Sequence, residues 1–136
     1  MKKLVAINQL RPKIVSQGMV DLEKMAGRVS KNTTYNTEEI YSIQRLSTNE
    51  IIAALQAGET VKIDGLLTVS ANMKVGGEVD LVIRVDRGAM AVLNNPLLWT
   101  ADKVTNHENM NKTTDELVAL HNEQHPDDLV VEEPSA

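Results

Sequence analysis

The sequence predicts an α+β fold, and three observations carry this prediction. Between residues 21 and 58, apolar residues recur at helical spacing in two successive segments. From residue 61 to residue 85 the pattern changes to alternation of apolar and polar residues, which is typical of half-buried strands. Glycines stand where these segments change direction. The predicted order is therefore two helices followed by a small antiparallel sheet.

The composition is that of a single globular domain with an unusual core. The chain has 136 residues, no cysteine and no phenylalanine, and its only large aromatic side chains are Trp99, Tyr35 and Tyr41. An aliphatic core gains stability from its total buried area rather than from a few large rings. We therefore expect additional burial against other copies of the chain, in a homodimer or a higher homo-oligomer.

The first seventeen residues are predicted to form an N-terminal extension with one short strand. Residues 3–7 are mostly apolar, and Arg11-Pro12 follows them, which disfavours helix just before the proline. The charged start is similar to that of a signal peptide, but polar residues interrupt the apolar run at once. No stretch of the sequence reaches membrane-spanning length, so a cytoplasmic protein is expected.

Two helices with apolar stripes are predicted next. Asp21 is suited to cap the first helix, because its carboxylate accepts hydrogen bonds from free backbone N–H groups. Asn36 or Thr37 is suited to cap the second, and Gly58 marks its end. The second helix carries apolar residues on more than one side. This pattern suits a helix that lies between its own domain and a partner.

A sheet and a short helix are predicted after Gly58. Apolar residues alternate over residues 61–69 with an interruption at Gly65, and they alternate again over residues 79–85. The pair Gly76-Gly77 predicts a turn between these two stretches. A short helix follows over residues 89–93 and ends before Asn95-Pro96.

The C-terminal part is predicted to be less regular. Residues 97–112 are expected to be irregular, and Thr113 or Thr114 is suited to cap a short helix. The acidic stretch from His121 to the end is predicted to be a mobile tail. Trp99 fits either the domain's own core or a contact between subunits. The predicted organisation is an N-terminal extension over 1–17, a domain over 18–96 and a C-terminal extension over 97–136.

Residues 55–69, with the sequence LQAGETVKIDGLLTV, resemble the helix end and sheet entry of the histone-like HU/IHF family of bacterial DNA-binding proteins. Gly58, Val61, Gly65 and Thr68 fall at the positions of that family's pattern. Residues 18–26 and 33–36 are similar to a divergent branch with an N-terminal extension. The resemblance covers roughly residues 15–95. It implies a dimerising core of two helices, a three-stranded antiparallel sheet with an arm, and a short C-terminal helix.

The sequence departs from the family pattern in the arm. Leu67 stands where the family has a second glycine, and the arm between Val69 and Val79 is short. The family's arm wedges a proline between base pairs, whereas here no proline occurs between Pro12 and Pro96. The implied fold is therefore an HU/IHF-like core with a shortened arm.

Two functions from different classes fit this resemblance. The first is binding of double-stranded DNA by a homodimer through the phosphate backbone and DNA shape. The second is a structural or assembly protein that uses the same dimer as a scaffold and reaches other structural proteins through its two extensions. Family membership favours the first. The net charge of −5 and the short arm favour the second. DNA binding is the interpretation we prefer.

Two sets of residues are predicted to carry these functions. The candidate DNA-binding residues are Lys62, Lys74, Arg84 and Arg87. The residues expected in the dimer interface or the core are Ile40, Ile43, Ile51, Leu55, Leu67, Leu81 and Ile83.

No pattern in the sequence predicts catalysis, a metal site or a cofactor. His121 and His125 have the helical spacing at which two imidazoles can share a metal, but Pro126 follows immediately. A polar linker is the favoured interpretation of that segment. Acidic residues are scattered, and no serine or histidine has the setting of a nucleophile. We expect a protein without enzymatic activity and without a membrane partner.

Overall fold

The computed structural model describes residues 1–131 and confirms a mixed α+β fold. In chain order, the helices and strands are α1 (Lys3–Leu10), β1 (Lys13–Ile14), α2 (Leu22–Ser30), α3 (Thr37–Gln56), β2 (Val61–Ile63), β3 (Leu67–Met73), β4 (Val79–Val85), α4 (Arg87–Leu93), β5 (Val104–Thr105) and α5 (Thr114–Gln124). Short 3-10 helices cover Pro96–Leu98 and His107–Asn109.

The chain divides into two compact units. We call residues 18–94 the central unit. It contains α2, α3, α4 and the three-stranded sheet. Residues 1–17 together with residues 95–131 form what we call the terminal unit, which contains α1, α5 and a two-stranded sheet of β1 and β5.

The helix boundaries in the central unit follow from local chemistry. The Asp21 carboxylate accepts from the backbone N–H of Lys24 at 2.9 Å, which confirms it as the cap of α2. Asn36 caps α3 by accepting from the N–H of Glu39 at 2.8 Å, and its amide also donates to the Glu39 carboxylate. Gly58 follows α3 with φ 80°, a left-handed conformation that favours glycine.

The sheet of the central unit is antiparallel with strand order β2-β3-β4. β3 and β4 pair over seven residues each, from Leu67 opposite Val85 to Met73 opposite Val79. The predicted turn at Gly76-Gly77 is confirmed: Lys74 donates its N–H to the Glu78 carbonyl at 2.8 Å. The arm expected from the sequence is therefore a short hairpin.

Few aliphatic residues of the central unit are buried. α2 packs on α3, and α3 in turn contacts β2 and β3. The apolar residues that are buried in this unit are Ala26, Ile40 and Val69. Most of its other Ile, Leu, Val and Met side chains keep a substantial fraction of their surface accessible. The central unit thus leaves much of its apolar surface in contact with solvent.

The predicted strand over residues 3–7 is wrong, because these residues lie in α1. A short apolar run fits a helix or a strand equally well, and packing decides between them. Here α1 packs on α5 and Ala6 is completely buried. The strand lies after Pro12 instead, where Lys13 pairs with Thr105 of β5. Arg11 has the extended conformation expected before a proline.

The predictions for residues 97–131 need a second correction. The irregular stretch contains β5 and two 3-10 helices, and α5 continues to Gln124. Thr113 is confirmed as its cap, since its hydroxyl accepts from the N–H of Glu116 at 3.3 Å. His121 is 1% exposed rather than part of a solvated tail, and Val131 donates its N–H to the Met1 carbonyl at 3.2 Å. The end of the predicted tail, residues 132–136, lies outside the described residues.

Among residues 1–131, no helix combines the length and the apolar character that crossing a membrane requires.

Candidate nucleic-acid interface

The three-stranded sheet has two chemically different faces. Side chains alternate along each strand, so residues directly opposite each other on neighbouring strands point to the same face. Val69 lies opposite Val61 and Ile83, and these three residues belong to the apolar face. Thr68 lies opposite Lys62 and Arg84, and these three belong to the polar face. The pairing places two of the predicted DNA-binding residues in one row across the sheet.

A third predicted residue, Arg87, lies close to this row. It is the first residue of α4, and Asp86 caps that helix by accepting from the N–H of Ala89 at 3.1 Å. The cap fixes the path of the chain between Arg84 and Arg87. Lys62, Arg84 and Arg87 line one shallow depression of about 250 Å³, together with Asp86, a threonine and three aliphatic residues.

The fourth predicted residue, Lys74, is not part of this group. It lies beyond the end of β3, six positions from Thr68, which corresponds to about 20 Å along an extended strand. Its ammonium is 3.7 Å from the Asp80 carboxylate. The structure therefore brings together three of the four candidates and leaves Lys74 at the hairpin turn.

The charges of the polar face are partly offset. The Lys62 ammonium lies 3.8 Å from the Asp64 carboxylate. Arg84 and Arg87 take part in none of the ion pairs among residues 1–131. Exposed ion pairs are weak, so the Lys62 and Lys74 pairs can open at little cost. The two arginines are the cations most available for an anionic partner on this face.

The apolar face is exposed along the whole of β4. The side chains of Val79, Leu81, Ile83 and Val85 are between 48% and 57% exposed. An apolar groove of about 580 Å³ lies beside this row, between the C-terminal half of α3 and the hairpin, with Ile52 on one wall. A continuous apolar surface of this kind on a folded unit is typical of an interaction site.

Some of the residues predicted for the dimer interface or the core are buried, and others are exposed. Ile40 is buried, and Ile51, Leu55 and Leu67 are partly buried. Ile43, Leu81 and Ile83 are exposed, each by at least 50%. The exposed members lie on α3 and β4.

One polar group on α3 was not singled out by the sequence. The side-chain oxygen Oε1 of Gln44 is buried and has no hydrogen-bond partner in the described part of the chain. A buried acceptor without a partner is costly. The sequence does contain a signal for this group: Gln44 lies between isoleucines at helical spacing. A helix side that packs against its own domain is normally apolar, so a glutamine there is unusual.

The histidines of the terminal unit have a structural role. Nε2 of His121 lies 2.9 Å from the Asp128 carbonyl, and the rings of His121 and His125 are 4.8 Å apart. Within residues 1–131, no group of three or more histidine, cysteine or acidic residues is placed to hold a metal ion. The arrangement ties the segment after α5 back onto that helix.

Two carboxylates of the terminal unit have lowered pKa values. The pKa of Asp128 lies below its ordinary value mainly because the N-terminal ammonium donates a hydrogen bond to its carboxylate at 2.7 Å. The pKa of Asp102 is lowered mainly by a hydrogen bond from the Thr100 hydroxyl. Local hydrogen bonds explain the lowered pKa of both carboxylates.

The sequence matches no protein-family model, and no curated protein matches it.

Proposed function

We propose that the central unit is an HU/IHF-like body that forms a homodimer and binds the phosphate backbone of double-stranded DNA. The observation that carries the proposal is the division of the sheet into an exposed apolar face and a polar face with a basic row. The order of two helices, three antiparallel strands and a short helix agrees with the order expected from the resemblance. A cytoplasmic location is part of the same proposal.

The apolar face supports dimerisation. Burial of apolar surface contributes about 25 cal/mol per Å², and a row of four half-exposed aliphatic side chains is a substantial area to leave in water. A second copy offers the same face and hence a self-complementary surface. Ile52 of α3, which lines the groove beside this row and is 52% exposed, adds to it. The scarcity of large aromatic residues in this small unit gives the same reason for burial against a partner.

The polar face supports contacts to phosphates rather than to bases. Arg84 and Arg87 carry side chains whose planar guanidinium groups suit phosphate oxygens. The hairpin between β3 and β4 extends the sheet only by a five-residue turn, Lys74 to Glu78. A short hairpin with one lysine and one glutamate at its ends is poorly suited to reading base edges. We therefore propose binding that depends weakly on DNA sequence.

The test is a salt titration of binding to a short random duplex, followed by fluorescence anisotropy. We expect the wild-type chain to bind at low salt and to weaken steeply as salt rises, because each phosphate contact releases counterions. Replacing both arginines, Arg84→Gln with Arg87→Gln, should lower the magnitude of the slope of log K against log salt by about two units for each subunit of the dimer that contacts the duplex. The variant Lys3→Gln with Lys112→Gln loses the same charge in the terminal unit and is the matched control. No binding by the wild-type chain at low salt would contradict DNA binding.

A second candidate is favoured by the charge balance. The net charge is −5, and Lys62 and Lys74 each lie near a carboxylate. A dimer that does not bind the duplex at low salt would support a structural or assembly protein built on the same body, with the terminal unit as the part available to other proteins.

A further inference from the structure

We propose that the solvent-facing side of α2 is a second phosphate-contacting surface, formed by Arg28 and Lys31 with Lys24 beside them. This proposal rests on the proposed DNA binding and concerns a different surface from the sheet. The three residues follow each other at i, i+4 and i+7, so they lie on one side of the helix. We call them the α2 basic stripe.

The packing of α2 directs this stripe to solvent. The completely buried Ala26 marks the side of the helix that packs on α3, whereas Leu22, Met25 and Val29 are 37–41% exposed. At 100° per residue, Lys24, Arg28 and Lys31 fall on roughly the opposite side. All three are exposed. Lys31 follows the last residue of α2 and keeps a right-handed helical conformation, which continues the line of the stripe.

The stripe is less neutralised than the polar face of the sheet. None of its three cations takes part in an ion pair among residues 1–131, whereas Lys62 and Lys74 each lie near a carboxylate. Lys24 is partly engaged, because its ammonium donates to the Met19 carbonyl at 3.3 Å. Arg28 and Lys31 are therefore the main candidates for contact with an anion.

The dimensions of the stripe suit a polyanion with closely spaced charges. A rise of 1.5 Å per residue gives a length of about 10 Å from Lys24 to Lys31. A DNA duplex carries one charge per about 1.7 Å of its axis, so a surface of this length faces several phosphates at once. A single small anion would engage only one end of the stripe.

An anionic membrane is the other partner that a basic helix can meet. Helices that lie on membranes insert a broad apolar side, often with aromatic residues, and carry their cations on the polar side. α2 has nine residues and no aromatic residue, and more than half of the surface of Leu22, Met25 and Val29 is already covered within the protein. Little apolar surface of this helix is left for insertion. The geometry therefore favours the duplex.

The experiment is the same salt titration on the full chain with the variant Arg28→Gln and Lys31→Gln. Glutamine keeps a long side chain and helix propensity similar to that of arginine and lysine, so loss of charge is the main change. We expect the magnitude of the slope of log K against log salt to fall by about two units for each subunit of the dimer that contacts the duplex. The variant Lys3→Gln with Lys112→Gln should keep the wild-type slope. Circular dichroism and thermal unfolding of each variant check that the fold is retained.

The outcomes separate this proposal from the first. Suppose that the wild-type chain binds and that only the Arg84→Gln/Arg87→Gln variant shows a weaker dependence of log K on log salt. The α2 basic stripe is then not a DNA contact, and the proposed function stands. If the Arg28→Gln/Lys31→Gln variant loses slope, the stripe is supported, whatever the sheet variant does. No binding by the wild-type chain overturns both. A parallel titration with phosphatidylserine vesicles overturns the choice of partner if the stripe variant loses only vesicle binding.

Discussion

Asn109 is held in the interior of the terminal unit, where it is 2% exposed. Its Nδ2 donates to the Leu10 carbonyl at 2.7 Å, close to the end of α1, while its Oδ1 is buried without a partner in the described part of the chain. One side chain thus satisfies a carbonyl at the C-terminal end of α1, where helices leave carbonyls without partners.

Replacing this residue tests how much that contact contributes. We expect Asn109→Ala to lower the free energy of unfolding by about 1–3 kcal/mol, because a partly buried carbonyl loses its donor. Urea unfolding at several protein concentrations measures the change. The exposed Asn111 provides the control, since Asn111→Ala should alter stability by no more than about 0.5 kcal/mol. Equal stability of both variants would contradict a structural role for Asn109.

Two glycines with open surroundings allow the effect of backbone conformation on the stability of a helix to be measured without a change in packing. Gly58 follows α3 with φ 80°, whereas Gly27 lies inside α2 without a positive φ. A Cβ atom added at either position would meet no atom within 4 Å. Any change in stability on substitution by alanine therefore comes from the conformation of the backbone.

The two alanine variants should change stability in opposite directions. We expect Gly58→Ala to destabilise by about 1–2 kcal/mol, because a side chain is strained in the left-handed region. Gly27→Ala should stabilise by about 0.5–1 kcal/mol, because alanine favours the helix interior. Thermal unfolding of both variants under one set of conditions measures the difference. A stabilising Gly58→Ala would show that α3 does not end there in solution.

The sequence predicts best those elements whose ends are decided locally. Asp21, Asn36 and Thr113 cap their helices as their side-chain chemistry requires, and the alternation of β4 is visible without any partner. The strand prediction for residues 3–7 fails because α1 depends on packing against α5, more than a hundred residues later in the chain. Local patterns carry no information on such a contact.

The sequence predicts only part of the candidate site, because local patterns do not show which strands pair. Alternation along β4 places Arg84 on the other face of the sheet from the apolar side chains. Only the strand register shows that it lies in one row with Thr68 and Lys62. Lys74 is near these residues in sequence, whereas the hairpin places it at the far end of the sheet. The α2 basic stripe was readable from helical spacing. That the stripe faces solvent follows only from the structure, in which α2 packs on α3.

For the whole molecule, the exposed face of β4 predicts the state of association. Ile83 and Val82 are neighbours on β4, 56% and 43% exposed, and they point to opposite faces of the sheet. We expect Ile83→Asp to shift the chain from dimer to monomer, because a carboxylate on the apolar face would be buried without a partner in the dimer. Val82→Asp places the same charge on the polar face and should leave the dimer intact.

Sedimentation velocity over micromolar concentrations distinguishes these outcomes. A wild-type chain that remains a folded monomer throughout this range would contradict the proposed dimer. Dissociation by Val82→Asp and not by Ile83→Asp would place the interface on the polar face, which would then be unavailable to DNA.

The discontinuity of the terminal unit has a consequence for the order of folding. Its halves meet through pairs such as the Thr105 hydroxyl and the Lys13 carbonyl, 92 residues apart in sequence. During synthesis the whole central unit emerges before β5 and α5 exist, and domains generally fold as units as they emerge. Closing so long a loop is slow in a flexible chain, and folding of the intervening residues shortens the segment that must be closed. We therefore expect the apolar side chains of α1 to stay exposed to solvent until the last third of the chain has been synthesised and the terminal unit can fold.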